Sequence, residues 1–300
     1  MATKKLTPTS IVFPSPIKQS LVQRGQLEDQ KSRAFIRNAL GLHTKKVEAT
    51  RHTILSGPPG VGKSYGTMEE CAQNGVKYIC IAPGTSSAEL AMRLAYHVWS
   101  NPVGDLVVIL DDADDVVFSD YETINKWKNA MQDMNPATGQ MPYYAHAVSM
   151  TATLNKLRET NPTLVQAVES FMSVDSVGVS IPTERIRFVI LCNKDLENTK
   201  EYKAKMKGAV EAMVDRFKYK RISLSWEHQW GWLAFVLGST QPFEGHSLSL
   251  NQKKDLLDWM YSNWANLRST SYRMVKKLAE AMINDPAGYE DAWVDELKGH

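Results

Sequence analysis

Cysteine is scarce, with three residues in 300, and Cys71, Cys80 and Cys192 lie far apart in apolar surroundings. That spacing supports neither a disulfide framework nor a zinc site, and it suits a reducing compartment. Long apolar runs are lacking as well. None approaches the roughly 18 residues needed to span a bilayer, and the start MATKKLTPTSIVF has no signal-peptide core. These absences lead us to expect a cytoplasmic protein with no membrane partner. Charge of one sign is missing too: the formal net charge is +2, so no global field commits the chain to nucleic acid. The basic excess is local, with ten Lys/Arg against three Asp/Glu between Met1 and Arg51. The histidines are scattered, and neither H-E-x-x-H nor G-x-S-x-G occurs.

What remains is ordinary globular composition, 43% hydrophobic and 23% charged, long enough for a large domain plus a smaller one. Residues 1–48 read as a basic arm followed by a weakly helical stretch, Gln19 to Leu42, interrupted by Gly25. A strand over His52 to Ser56 leads into a glycine loop and then a helix that stops at Asn74-Gly75. Lys77 to Ile81 is a second strand, and Ser86 with Glu89 forms a capping box for the following helix. Leu106 to Leu110, Arg187 to Leu191 and, more weakly, Arg221 to Leu224 have the continuous apolar character of buried parallel strands. Between the third and fourth strands, 116–185 is too long for a structureless connection and is read as a helical insertion. Helices are expected at Thr123 to Met134 and around Leu164 to Met172, and an exposed loop at Ala137 to Tyr144. From Trp226 onward only helical periodicity appears, and the cluster Trp226, Trp230 and Trp232 reads as core packing.

The run GPPGVGKS meets G-x-x-x-x-G-K-S at Gly57, Gly62, Lys63 and Ser64. Glycines let backbone N–H groups curve around phosphates, and the helix N-terminus adds its dipole. Lys63 reaches the β and γ phosphates, and Ser64 ligates magnesium. The expected nucleotide contacts are Gly57, Pro58, Pro59, Gly60, Val61, Gly62, Lys63, Ser64 and Tyr65, with ATP and Mg2+ as the ligands. LVVILDD then delivers Asp111 at the carboxyl end of a buried strand, where ligands bind in open α/β sheets. Asp111 is read as the second magnesium residue, and Asp112 as the carboxylate that orients or deprotonates the attacking water. The competing reading of Asp112 is a solvated acidic turn, because Asp114, Asp115 and Asp120 follow closely.

In this order the motifs resemble the AAA+ ATPases, over about residues 50 to 285. The resemblance implies a parallel five-stranded α/β sheet flanked by helices (49–225) and a small all-helical lid domain (226–300). It implies a polar sensor for the lytic water at Asn193 of RFVILCNKD, and an arginine finger acting on a neighbouring subunit at Arg216 of VDRF. Lys218, Lys220 and Arg221 are rivals for that finger. It also implies a lid sensor at Arg273 of SYRMVKKL, with Arg268 the alternative. Two departures stand out: Asp112 replaces the family's usual Glu, and Pro83 to Ser87 lacks the aromatic pore loop of protein unfoldases. The whole arrangement looks like small stand-alone AAA+ ATPases of tailed bacteriophages. The implied assembly is a homo-oligomer, a hexameric ring or spiral. The basic arm, the basic run Arg216 to Arg221 and the missing aromatic pore loop make the first functional reading an ATP-driven motor or loader acting on DNA; the alternatives are a MoxR-like ATPase remodelling a protein partner and a slowly hydrolysing ATP-gated scaffold. A simple nucleotide kinase fits the Asn193 and Arg216 positions poorly.

Overall fold

The structure, a computed structural model, describes residues 11–40, 51–132, 138–139, 141–172, 178–198 and 202–297. The chain divides into two compact units. One comprises the described residues of Ile36–Gly57 and Ser64–Arg221; the other comprises those of Met1–Phe35, Pro58–Lys63 and Ile222–His300.

The first unit is α/β. Its sheet has five parallel strands in the order β2 (Tyr78–Ile81), β3 (Leu106–Leu110), β6 (Ile186–Cys192), β1 (Thr53–Ser56) and β7 (Lys218–Arg221). Helices α2 (Lys63–Gln73), α3 (Ser87–Ser100), α4 (Tyr121–Ala130) and α7 (Ala204–Arg216) flank it. Every residue of β3 is buried, and all but one of β6, because a strand covered on both faces has no side turned to water. Leu90 and Leu94 of α3 and Val210 and Met213 of α7 share one apolar core with Val108, Leu110, Phe188 and Ile190. Ser86 caps α3 by accepting from the Glu89 amide at 3.2 Å.

Two strand expectations need correction. The last strand is Lys218–Arg221, three residues earlier than the apolar run Arg221 to Leu224 suggested. It lies at the sheet edge, where one flank is unpaired and charged side chains are tolerated, so KYKR forms the strand without an apolar signature. The stretch 116–185 is not purely helical. Besides α4, α5 (Thr151–Leu157) and α6 (Pro162–Glu169), it holds an antiparallel pair, β4 (Tyr143–His146) with β5 (Val179–Pro182). The exposed loop expected up to Tyr144 therefore ends in a strand, and Tyr144 is buried with its ring 5.1 Å from that of Trp127. Ala137 and Gln140 of that tract, and Met134, lie outside the described residues.

The second unit is helical: the N-terminal part of α1 (Pro16–Ala39) with α8 (Trp226–Ser239), α9 (Leu250–Asn263), α10 (Tyr272–Asn284) and α11 (Tyr289–Val294). Ile11, Phe13, Leu21 and Val22 enter the same core as Trp230, Leu256, Met260, Val275 and Leu278, so the segment read as an arm is part of the unit's interior. Gly25 does not interrupt α1. It faces Gly231 of α8, and a β-carbon on either residue would lie 2.2 Å or less from the opposing backbone. These helices cross at the distance that two glycines allow. Trp230 donates its indole N–H to Leu257 O and Trp293 to Leu278 O, both at 2.9 Å, so each buried ring keeps its polar atom paired. Trp226 differs from expectation: it is 41% exposed, at the first position of α8. No helix among the described residues is long and apolar enough to cross a membrane.

Candidate functional site

The glycine loop begins at the carboxyl end of β1 and ends at the first turn of α2. Gly57 N donates to Cys192 O at 3.2 Å, tying the start of the loop to β6. Gly60 and Gly62 have φ of 78° and 81°, the left-handed region that costs a β-carbon-bearing residue about 1–2 kcal/mol. Space excludes a side chain as well. A β-carbon at Gly60 would lie 2.1 Å from Ser271 Cβ, and one at Gly62 would lie 2.7 Å from the Trp232 ring. The first turn of α2 carries no acidic residue, so nothing in it neutralises the positive end of the helix dipole. Lys63 is 6% exposed and donates to Pro58 O at 3.0 Å, which holds a buried ammonium within the loop. Tyr65, next along α2, is exposed.

Within the α/β unit, four expected residues converge at the carboxyl ends of the strands. Ser64 Oγ donates to Asp111 Oδ1 at 2.5 Å, and the Asp112 amide donates to the same oxygen at 3.1 Å. Asn193, the residue after β6, donates Nδ2 to Asp112 Oδ1 at 3.0 Å. The sheet order explains this meeting: β6 lies between β3, which ends before Asp111, and β1, which ends before the loop. Asp112 has φ 45°, the only positive φ outside glycine among the described residues. Backbone strain of this kind, about 1–3 kcal/mol, concentrates where side-chain direction matters.

Asp114 is a member of this cluster that the sequence did not single out. Its carboxylate accepts from the amides of Asn193 at 2.9 Å and Lys194 at 3.0 Å, and Lys194 Nζ donates to Asp114 O at 3.2 Å. Ser56 Oγ holds the other side of that turn by donating to Lys194 O at 2.6 Å. The only signal in the sequence was the density of acids in DDADD, which equally describes a solvated turn.

The arginines divide differently. Arg216 ends α7, is exposed, and has no ion-pair partner among the described residues. It joins none of the hydrogen bonds around Asp112. Its rival Arg221 pairs with Asp195, and Lys218 donates to Asn38 O. In the helical unit, Arg273 lies exposed in the first turn of α10, two residues after the Ser271 that abuts Gly60. Arg268 instead donates to Glu296 O through its amide and to Leu297 O through its side chain, which fastens the end of the described chain.

A magnesium ion accompanied by a triphosphate suits the donor set. Ser64 and Asp111 offer two hard oxygens at one point, and no group of three or more His, Cys, Asp or Glu among the described residues could cage a metal. Magnesium sites of this kind take one or two protein oxygens and complete the shell with phosphate and water.

Behind the site, His52 sits between Phe188 and Phe217 with ring separations of 5.6 and 5.7 Å, and its Nδ1 accepts from the Phe188 amide. Burial, reinforced by Arg51 and Arg187, lowers its pKa to about 3. The ring is therefore neutral, as its acceptor role requires.

No family model matches the chain. It is similar, at 24% identity over 270 residues, to an uncharacterized 36.7 kDa protein from the nrdC–mobD intergenic region of enterobacteria phage T4, an alignment covering 88% of this chain and 74% of that one.

Proposed function

We propose that the protein is a magnesium-dependent ATPase of the AAA+ type that works as a homo-oligomer on a macromolecule. One observation carries the reading: Ser64 meets Asp111 at 2.5 Å while Asn193 meets Asp112 at 3.0 Å, at the carboxyl ends of the strands of the α/β unit. Mg-ATP supplies the transferable γ-phosphoryl group, with its cation held by the oxygens of Ser64 and Asp111. Lys63 exchanges the Pro58 carbonyl for phosphate oxygens. Asp112 takes a proton from the attacking water; its Oδ1 is engaged by Asn193, so Oδ2 is the oxygen left for that water. Arg216, exposed at the end of α7, is the residue this reading offers to a neighbouring subunit. The similar phage T4 protein bears on a phage origin and not on the activity.

For the macromolecule, DNA is the first reading and a protein partner the second, and the charges are divided: Arg24 and Arg216 are exposed and in no ion pair among the described residues. Of the basic residues expected to attract phosphates, Lys18 pairs with Asp258, Lys31 with Glu28, Arg33 with Asp29, Arg37 with Glu70 and Arg51 with Asp105. Neutralised cations release few counterions on DNA. Lys4, Lys5, Lys45 and Lys46 lie outside the described residues. The insertion exposes Met141 and Val148 at either end of β4, apolar contacts that suit a protein partner. The test is phosphate release by wild type and by Lys63→Ala, with and without magnesium and with and without DNA. Magnesium-dependent turnover lost in Lys63→Ala supports the ATPase. Stimulation by DNA supports the DNA reading, and absence of turnover in the assembled wild type leaves the scaffold.

A further inference from the structure

Resting on that ATPase reading, we infer that Asp114 is a positioning residue of the same site, acting through Asn193. Asn193 is exposed and follows the last residue of β6, where the ladder no longer fixes the backbone. Two consecutive amides in that turn, those of Asn193 and Lys194, point at one carboxylate and are held at 2.9 and 3.0 Å. Hydrogen bonds to an ionised acceptor are roughly twice as strong as neutral ones, so a single side chain sets the direction of the turn. The Asp114 carbonyl accepts from Lys194 Nζ and Ser56 Oγ donates to Lys194 O, closing the turn from both sides. Asp114 itself lies in the turn that begins at Asp111 and passes through the left-handed Asp112. One short acidic segment thus carries both the base and the anchor for the amide that orients the base. If Asp114 is removed, Asp112 and Ser64 keep their own backbone supports, while the Asn193 amide loses its register against Asp112 Oδ1.

A merely structural acid predicts lost stability and weakened binding. A positioning role predicts a selective loss of rate, because misplacing a reacting group by about 1 Å costs on the order of 10²-fold. The experiment measures kcat, KM, the calorimetric Kd for Mg-ATP and the thermal midpoint for wild type, Asp114→Ala, Asn193→Ala and the double variant, with Asp114→Asn replacing Asp114→Ala should the latter misfold. We expect kcat in Asp114→Ala to fall at least about tenfold, with Kd within about twofold of wild type. The double variant should be no slower than Asn193→Ala, since the two residues act as one unit. An active wild type with an equally active Asp114→Ala overturns this inference alone, as does a double variant whose losses multiply. A properly folded wild type without turnover overturns the ATPase reading and this inference with it.

Discussion

Ser64 and Asp111 stand 47 residues apart in the chain, yet their side-chain oxygens meet at 2.5 Å. The first lies in the first turn of the helix after the glycine loop, and the second directly follows strand β3. Removing either should weaken magnesium-supported nucleotide binding more than binding without metal. We expect Ser64→Ala to lower the affinity for Mg-ATP about tenfold or more, because one of the two oxygens proposed to hold the metal would be gone. Titrations with and without EDTA check this, and equal losses in both would refute the shared-metal role.

Asp112→Asn should retain Mg-ATP affinity and lose turnover by about 10²-fold or more, since an amide cannot accept the proton of the attacking water. The paired measurement is calorimetric Kd against steady-state kcat. An Asp112→Asn protein that turns over at the wild-type rate would return Asp112 to the role of a solvated turn residue.

Arg216→Ala should leave single-chain nucleotide binding intact and reduce turnover of the assembled protein by about 10³-fold or more. Its exposed position at the end of α7 imposes no folding role that would confuse the result. Rate measured as a function of protein concentration, beside the oligomeric state, separates a finger from a surface cation.

Folding stability should fall as pH drops below 6.5. The unfolded chain binds a proton at His52 near pH 6.5, whereas the folded chain resists it down to about 3. Between those values the unfolded state carries more protons, so stability is full above the unfolded pKa and declines towards acid. The slope is at most about 1.4 kcal/mol per pH unit. His52→Asn, which keeps an acceptor for the Phe188 amide without titrating, should show a flatter slope between pH 6.5 and 4 in denaturant melts. An unchanged slope would mean that His52 does not govern it.

Gly25→Ala places a methyl group 2.2 Å from the Gly231 backbone, a contact α1 and α8 relieve only by moving apart. Overpacking of this kind costs about 1–3 kcal/mol. A thermal midpoint equal to that of wild type would show that the crossing is looser than described.

The parts legible in the sequence were those where chemistry or burial dictates residue type at fixed spacing. Gly60 and Gly62 follow from positive φ and the lack of room for a β-carbon, and β3 and β6 follow from burial on both faces. Four features escaped for identifiable reasons. β7 is an edge strand, so Lys218 and Lys220 carry no apolar signature. Tyr143 and Tyr144 looked like loop residues because their strand pairs with β5, more than thirty residues further on and itself only four residues long. Gly25 resembled a helix breaker because its reason to be glycine, the approach of Gly231, lies in another helix. Asp114 was indistinguishable from its acidic neighbours because its partners are backbone amides 79 and 80 residues away.

Isothermal titration of Mg-ATP into the folded protein, beside Lys63→Ala, addresses the whole account most directly. We predict saturable, magnesium-dependent binding by wild type and none by Lys63→Ala, whose buried ammonium is removed. Indistinguishable titrations of the two proteins, or no heat of binding from a wild type shown to be folded, would contradict it.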